Sequence, residues 1–272
     1  MRKYLFILAM AFITSAFSQT LESKVSAKLN EAIAESSASS GSVAVMEAST
    51  GKLLVSIGNI EKTQPTKLFT PFALLACLET NRLKLTDKID TGNGIYINGT
   101  DTIKDHNYRH GGYGVISVLD GFIHYSDITT LKAIGKVFKQ TADYQRQLEA
   151  MGITGISNID NLHYNASLLQ ILTLYNAVAN NSIKANADNV VAIKKALRSN
   201  VTDGMGKQLV SNKTEISAYS RTTKLENGTY KTDVCGYTPL YTIIVSIEQK
   251  DRPQRPNICN KLFCGITDLL TK

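Results

Sequence analysis

The chain has 272 residues, 43% of them hydrophobic, 19% charged and 7% aromatic, with no Trp. That composition suits one large apolar core and excludes a disordered tail, a collagen-like fibre and a small disulfide scaffold. Thirty Lys and Arg against 23 Asp and Glu give a formal charge of +7; no basic cluster exceeds two or three residues, so the surface reads as soluble and basic, with no nucleic-acid partner.

Met1-Arg2-Lys3 is a positive opening, Leu5 to Phe17 is almost wholly apolar, and Ala16-Phe17-Ser18 places small residues where a signal peptidase reads them. The apolar run is about 13 residues, short of the roughly 20 that span a bilayer. Residues 1–18 are therefore expected to be a cleaved secretory signal, with an uncleaved anchor as the alternative. No later stretch is apolar enough to cross a membrane, so the mature chain is expected in the periplasm or at the surface of a bacterium, with no transmembrane helix. Within a 19–40 lead-in, Lys24 to Ser37 reads as an amphipathic helix, with Val25, Leu29 and Ile33 on one stripe. Ser42 to Met46 and Leu53 to Ile57 read as a hairpin turning at Gly51. Pro65 interrupts the chain. Pro71 opens the helical run Phe72 to Thr80 or kinks it.

Asn81 to Asp105 is turn-rich, with a small ribbon around Ile95 to Gly99. Ile116 to Phe122, Ile128 to Phe138, Leu168 to Asn180 and Val190 to Arg198 read as helices. Tyr241 to Ile247 is the strongest strand, and Cys259 to Leu270 closes as a helix. Helix and hairpin first, helices in the middle, strands and a helix last: this order predicts an α+β fold, with an antiparallel sheet assembled from both termini and helices on both faces. Cys77, Cys235, Cys259 and Cys264 sit in apolar runs; secretion permits bridges, buried free thiols fit equally, and four cysteines allow three pairings. His106 and His110 are four apart but no Cys/His/Glu cluster accompanies them, so neither a metal nor a cofactor is expected.

The order of segments from about Leu21 to Lys272 resembles the transpeptidase domain of penicillin-binding proteins, class B and division-type as in the Bacteroides group. Gly41 to Lys52 is similar to that family's opening hairpin, and Phe69-Thr70-Pro71-Phe72 with Leu74-Leu75-Ala76 to its nucleophile helix. Ile89 to Gly94 and Gly111-Gly112-Tyr113-Gly114 resemble its middle, Leu172 to Asn181 a later helix, and Cys235-Gly236-Tyr237 its final sheet. The resemblance implies a transpeptidase-like domain over 41–272. Relative to the family the chain is expected to lack a membrane helix, a pedestal domain, and parts of the segments before Pro65 and between Gly155 and Leu168.

The family implies a Ser nucleophile with a Lys three residues on, sharing a helix face, so that the amine takes the hydroxyl proton while the oxygen attacks a D-Ala-D-Ala stem peptide or a β-lactam. Its pattern falls on Pro65 to Phe72, which puts Lys67 at the nucleophile position and Thr70 at the base position. The one Ser-x-x-Lys spacing, Ser49 to Lys52, falls in the hairpin turn rather than on a helix, and the sole Thr-x-x-Lys is Thr129 to Lys132. The Ser-x-Asn motif falls on Tyr125-Ser126-Asp127, where an ionised Asp127 accepts but cannot donate. The Lys-Thr/Ser-Gly motif falls on Arg221-Thr222-Thr223: Arg221 keeps the charge, Thr222 keeps the hydroxyl, and Thr223 is expected to push a side chain into the substrate groove. Arg221, Thr222 and Asp127 are the expected ligand contacts.

Three altered motifs imply a lost reaction and a binding or scaffolding role toward a peptidoglycan stem peptide or cell-wall synthesis proteins. A residual penicillin-binding enzyme using Thr70, Ser126 or Thr129 is one alternative; a structural interaction module is the other. A swapped pair with Thr70 attacking shifts the nucleophile about 4.5 Å along the helix, away from an oxyanion hole built around the old position.

Overall fold

The computed structural model describes residues 20–157, 159, 162, 164–253 and 257–271; the expected signal, 1–18, lies outside them. Strand β1 (Ser40–Glu47) runs antiparallel between β2 (Leu53–Ile57) and β11 (Tyr241–Gln249). β10 (Tyr230–Tyr237) and β9 (Ser217–Lys224) complete a five-stranded sheet in the order β2-β1-β11-β10-β9. Both ends of the chain thus supply one sheet, as the order of sequence patterns predicts. The run Ser42 to Met46 is apolar without alternation because both faces are covered. Val43 and Val45 join a core with the helix over 20–36 (α1) and with α8 (Ile258–Leu270), while Ala44 and Met46 face the opposite core.

That second core is centred on α2 (Thr70–Glu79), whose first nine residues are buried all round. Pro71 sits in its opening turn, where its missing N–H costs nothing. Around it pack α3 (Val118–Ile123), α4 (Asp127–Val137), α5 (Thr141–Ala150), α6 (Leu168–Ala179) and α7 (Ala187–Thr202). Three short ribbons frame them: β3 (Gln64–Thr66) with β8 (Tyr164–Ala166), β4 (Lys88–Asp90) with β7 (Val115–Ser117), and β5 (Ile95–Asn98) with β6 (Asp101–Lys104).

Several boundaries differ from expectation for identifiable reasons. The predicted helix Ile116 to Phe122 begins as strand β7 and turns helical after Ser117. There Ser117 and Asp120 form a capping box, the side-chain signal that marks the true start. α5 escapes the sequence reading because it buries only Tyr144 and Leu148, four residues apart, and is polar elsewhere. β9 and β10 read poorly as strands because their buried faces carry Arg, Lys, Asp and Thr. All four cysteines are free thiols; Cys77, Cys235 and Cys259 are buried, where desolvation raises their pKa values, and the same cause lifts Cys264 to about 11. Among the described residues no helix is long and apolar enough to cross a membrane.

Candidate functional site

Three segments far apart in sequence meet at one carboxylate. Lys67, just before α2, places Nζ 2.5 Å from Asp127 Oδ2. Arg221, on β9, places Nη2 2.6 Å from Asp127 Oδ1. Local structure sets each position. Ser126 caps α4, accepting from the Thr129 backbone N–H, so Asp127 enters the first helical turn, where the helix dipole favours a negative charge. Tyr125 precedes the cap with φ of +60°, a conformation rarely populated by residues with a side chain. This turn lays its ring 5.3 Å from the Arg221 guanidinium. Arg221 Nη1 donates to Tyr219 Oη at 3.2 Å, and Asn200 Nδ2 donates to Tyr125 Oη at 3.2 Å. The arginine is therefore held by a carboxylate, a phenol and an aromatic face together.

The electrostatics agree with the geometry. Burial by itself would push the Asp127 carboxyl up, but the charges of Arg221 and Lys67 outweigh it and hold the group well below the usual carboxylate range. For Arg221, burial acts downward and the Asp127 charge carries the value above the ordinary one. Asp105 behaves oppositely: desolvation raises it, although it accepts a 2.7 Å hydrogen bond from Ser126 Oγ.

The hydroxyls that the sequence offers as nucleophiles are committed elsewhere. Thr70 is buried, and its Oγ1 donates to its own turn's Lys67 carbonyl at 2.8 Å. Ser126 is buried against Asp105, and Thr129 Oγ1 donates to Ser126 Oγ at 2.9 Å. Lys132 turns away to the Asp90 carbonyl, so the Thr-x-x-Lys pair never assembles.

Lys67, Tyr125, Asp127, Arg221 and Thr222 line a cavity of about 490 Å³. Thr70, Ser126 and Thr223 lie outside its wall. The expectation that Thr223 fills the groove is corrected: it is 3% exposed, on the same buried strand face as Tyr219 and Arg221, and its Oγ1 has no hydrogen-bond partner. Residue 223 shares the Arg221 face but lies two residues farther along β9, beyond the cavity wall. Thr222, on the opposite side of the strand, pairs its hydroxyl with Thr232 Oγ1 at 2.9 Å. The sequence reading missed most of the remaining wall: Lys104, His106, Gln208, Arg252, Asn257 and Asn260. None falls in a recognisable motif: Lys104 and His106 lie at and just after the end of β6, Gln208 between α7 and β9, and Arg252, Asn257 and Asn260 between β11 and the first turn of α8. β9 ends the sheet, so its outer edge has no strand partner among the described residues. Among those residues no cluster of His, Cys, Asp and Glu has the composition of a metal site. Tyr113, in the Gly-rich turn, stacks on His124 at 5.5 Å and reaches a His106 ring nitrogen at 3.2 Å.

No family model matches the sequence, and no curated protein matches it. Solved structures do. The transpeptidase domain of Burkholderia pseudomallei penicillin-binding protein 3 superposes with a TM-score of 0.78 at 16% identity, covering 92% of this chain and 93% of that one. Penicillin-binding protein 3 of Mycobacterium tuberculosis gives 0.77 at 16% identity, over 92% and 77% of the two chains. A putative peptidoglycan glycosyltransferase of Atopobium parvulum gives 0.81 at 12% identity, over 92% and 76%.

Proposed function

We propose that this chain, which has the fold of penicillin-binding-protein transpeptidase domains, is a secreted, catalytically inactive relative that binds a cell-wall stem peptide in its cleft. The observation that carries this reading is the ion-paired centre itself. Acylation needs a hydroxyl within hydrogen-bond reach of a base. At the nucleophile position stands Lys67, whose ammonium is held by Asp127. At the base position stands Thr70, whose hydroxyl is buried against a backbone carbonyl. The aliphatic hydroxyls of the cavity wall, on Ser220 and Thr222, are each hydrogen-bonded to another side chain.

Binding survives where chemistry does not. The free edge of β9 offers backbone N–H and C=O groups to an extended peptide, as in other strand-addition complexes. The centre holds two cations and one carboxylate and so keeps a positive balance. A peptide C-terminal carboxylate suits that balance, with Arg221, Thr222 and Asp127 around it.

Fluorescent penicillin labelling of the purified protein, read by intact mass, tests the inactive reading: no adduct is expected at high drug with the protein folded. An adduct overturns it, and peptide mapping then names the nucleophile. Titration with an N-acetylated D-Ala-D-Ala peptide tests binding. Saturable binding weakened by Thr222→Val is expected; none at millimolar peptide removes the peptide role. Mass analysis of the protein after export tests secretion, the expected product beginning near Gln19.

A further inference from the structure

The following inference rests on the peptide-binding reading of the cleft. Among the described residues four cationic side chains line the cavity, those of Lys67, Lys104, Arg221 and Arg252, against one carboxylate, Asp127. Asp127 is already shared by Lys67 and Arg221. Asp105 lies behind the wall, engaged with Ser126, and its charge would not restore the balance. Lys104 and Arg252 belong to different segments, one ending β6 and the other following β11, and neither forms an ion pair among the described residues. Lys104 stands over the Tyr108 ring at 5.2 Å, a contact that leaves its charge uncompensated. The amides of Gln208, Asn257 and Asn260 also line the cavity and supply hydrogen-bonding groups but no negative charge. A concave surface with unbalanced positive charge concentrates its field on an anionic ligand.

We infer that the cleft selects an acidic peptide: beyond its C-terminal carboxylate, the ligand carries a second carboxylate, which Lys104 and Arg252 recognise from the cavity rim. The internal Asp127 makes the division of labour physical. The inner cations already share one carboxylate before any ligand arrives, and their one remaining charge suits the C-terminal carboxylate, so discrimination between neutral and acidic peptides falls to the outer two. Both outer side chains are exposed, and replacing either with Gln removes charge without disturbing the core.

Calorimetric titration of the purified protein with N-acetylated tetrapeptides ending in D-Ala-D-Ala, carrying Glu or Gln at the first or second position, tests this. At one position at least, the Glu peptide is expected to bind about fivefold tighter than its Gln counterpart, the return from two solvent-exposed ion pairs. The advantage is expected to fade near 0.5 M salt, where the screening length drops to about 4 Å, and to vanish in the Lys104→Gln/Arg252→Gln variant. Equal binding of Glu and Gln peptides overturns the selection but leaves the peptide cleft standing; so does a Glu advantage undiminished in the double variant. Binding of neither peptide overturns both.

Discussion

Asp127, half-buried at the start of α4, and Asp233, buried on β10, are two ion-paired carboxylates that do opposite work. Asp233 pairs with Lys231 at 3.2 Å, the two side chains being 1% and 2% exposed, and takes hydroxyl hydrogen bonds from Ser246 at 2.7 Å and Thr66 at 3.2 Å. One anion meets one cation, hydroxyls donate to the remaining lone pairs, and both side chains are buried. Asp127 meets two cations and borders an open cavity. The sealed centre is balanced and structural; the open one keeps a surplus charge that a ligand can use. Adjacent residues connect them: Thr66 donates to Asp233 and Lys67 to Asp127, so the loop before α2 is pinned at both points.

The largest expected effect is at the sealed centre. Asp233→Ala leaves the Lys231 ammonium uncompensated and should cost about 3–5 kcal/mol in urea unfolding, whereas replacing both partners with apolar residues should recover much of it. A loss under about 1 kcal/mol for the single change would mean that water enters the sheet. Asp127→Asn should cost less, about 1–3 kcal/mol, because the cavity lets water attend the freed cations. Its pH dependence has a definite sign. The folded Asp127 carboxyl is depressed, so its contribution is complete above the unfolded value of about 4 and is lost as pH falls toward the folded value. The gap in Tm between wild type and Asp127→Asn should hold from pH 5 to 8 and close in acid; a constant gap would assign the loss to packing instead. Asp105, raised by burial, has the reverse sign, its penalty present at neutral pH and relieved in acid.

Smaller effects sharpen the contrast. Thr223→Val removes the hydroxyl left without a partner and should raise stability by up to about 1 kcal/mol in urea unfolding. Thr223→Gly, the residue of the related motif, should lower it by a similar amount through lost packing and strand propensity. Destabilisation by Val would show that the hydroxyl has a partner, such as an ordered water. Arg252→Gln should change unfolding free energy by less than about 0.5 kcal/mol, as expected of an exposed side chain outside any ion pair.

The hairpin, the strand at Tyr241 to Ile247 and the long helices are legible in the sequence because their apolar spacing matches their burial. The site is legible only as positions. Aligning Lys67, Asp127 and Arg221 with three family motifs shows that the expected groups are missing. It does not show that the substitutes bind one another, since 60 and 94 residues separate the bonded pairs. The complementary signs of a Lys, an Asp and an Arg at three motif positions are the one clue available beforehand. Lys104 and Arg252 have no such clue: the turn geometry after β6 and β11 alone brings them to the rim. The misjudged place of Thr223 has a similar origin: it shares a strand face with Arg221, and its position farther along β9 puts it outside the cavity wall.

The unpaired rim of β9 also bears on self-association. An exposed strand edge invites a second copy of itself. Here, edge-to-edge pairing would bring Arg221 and its neighbouring cations toward an identical set, with Asp127 the sole carboxylate among the described residues of each cavity wall to offset them. Like charges therefore oppose dimerisation through β9, and the exposed edge is guarded against its own kind.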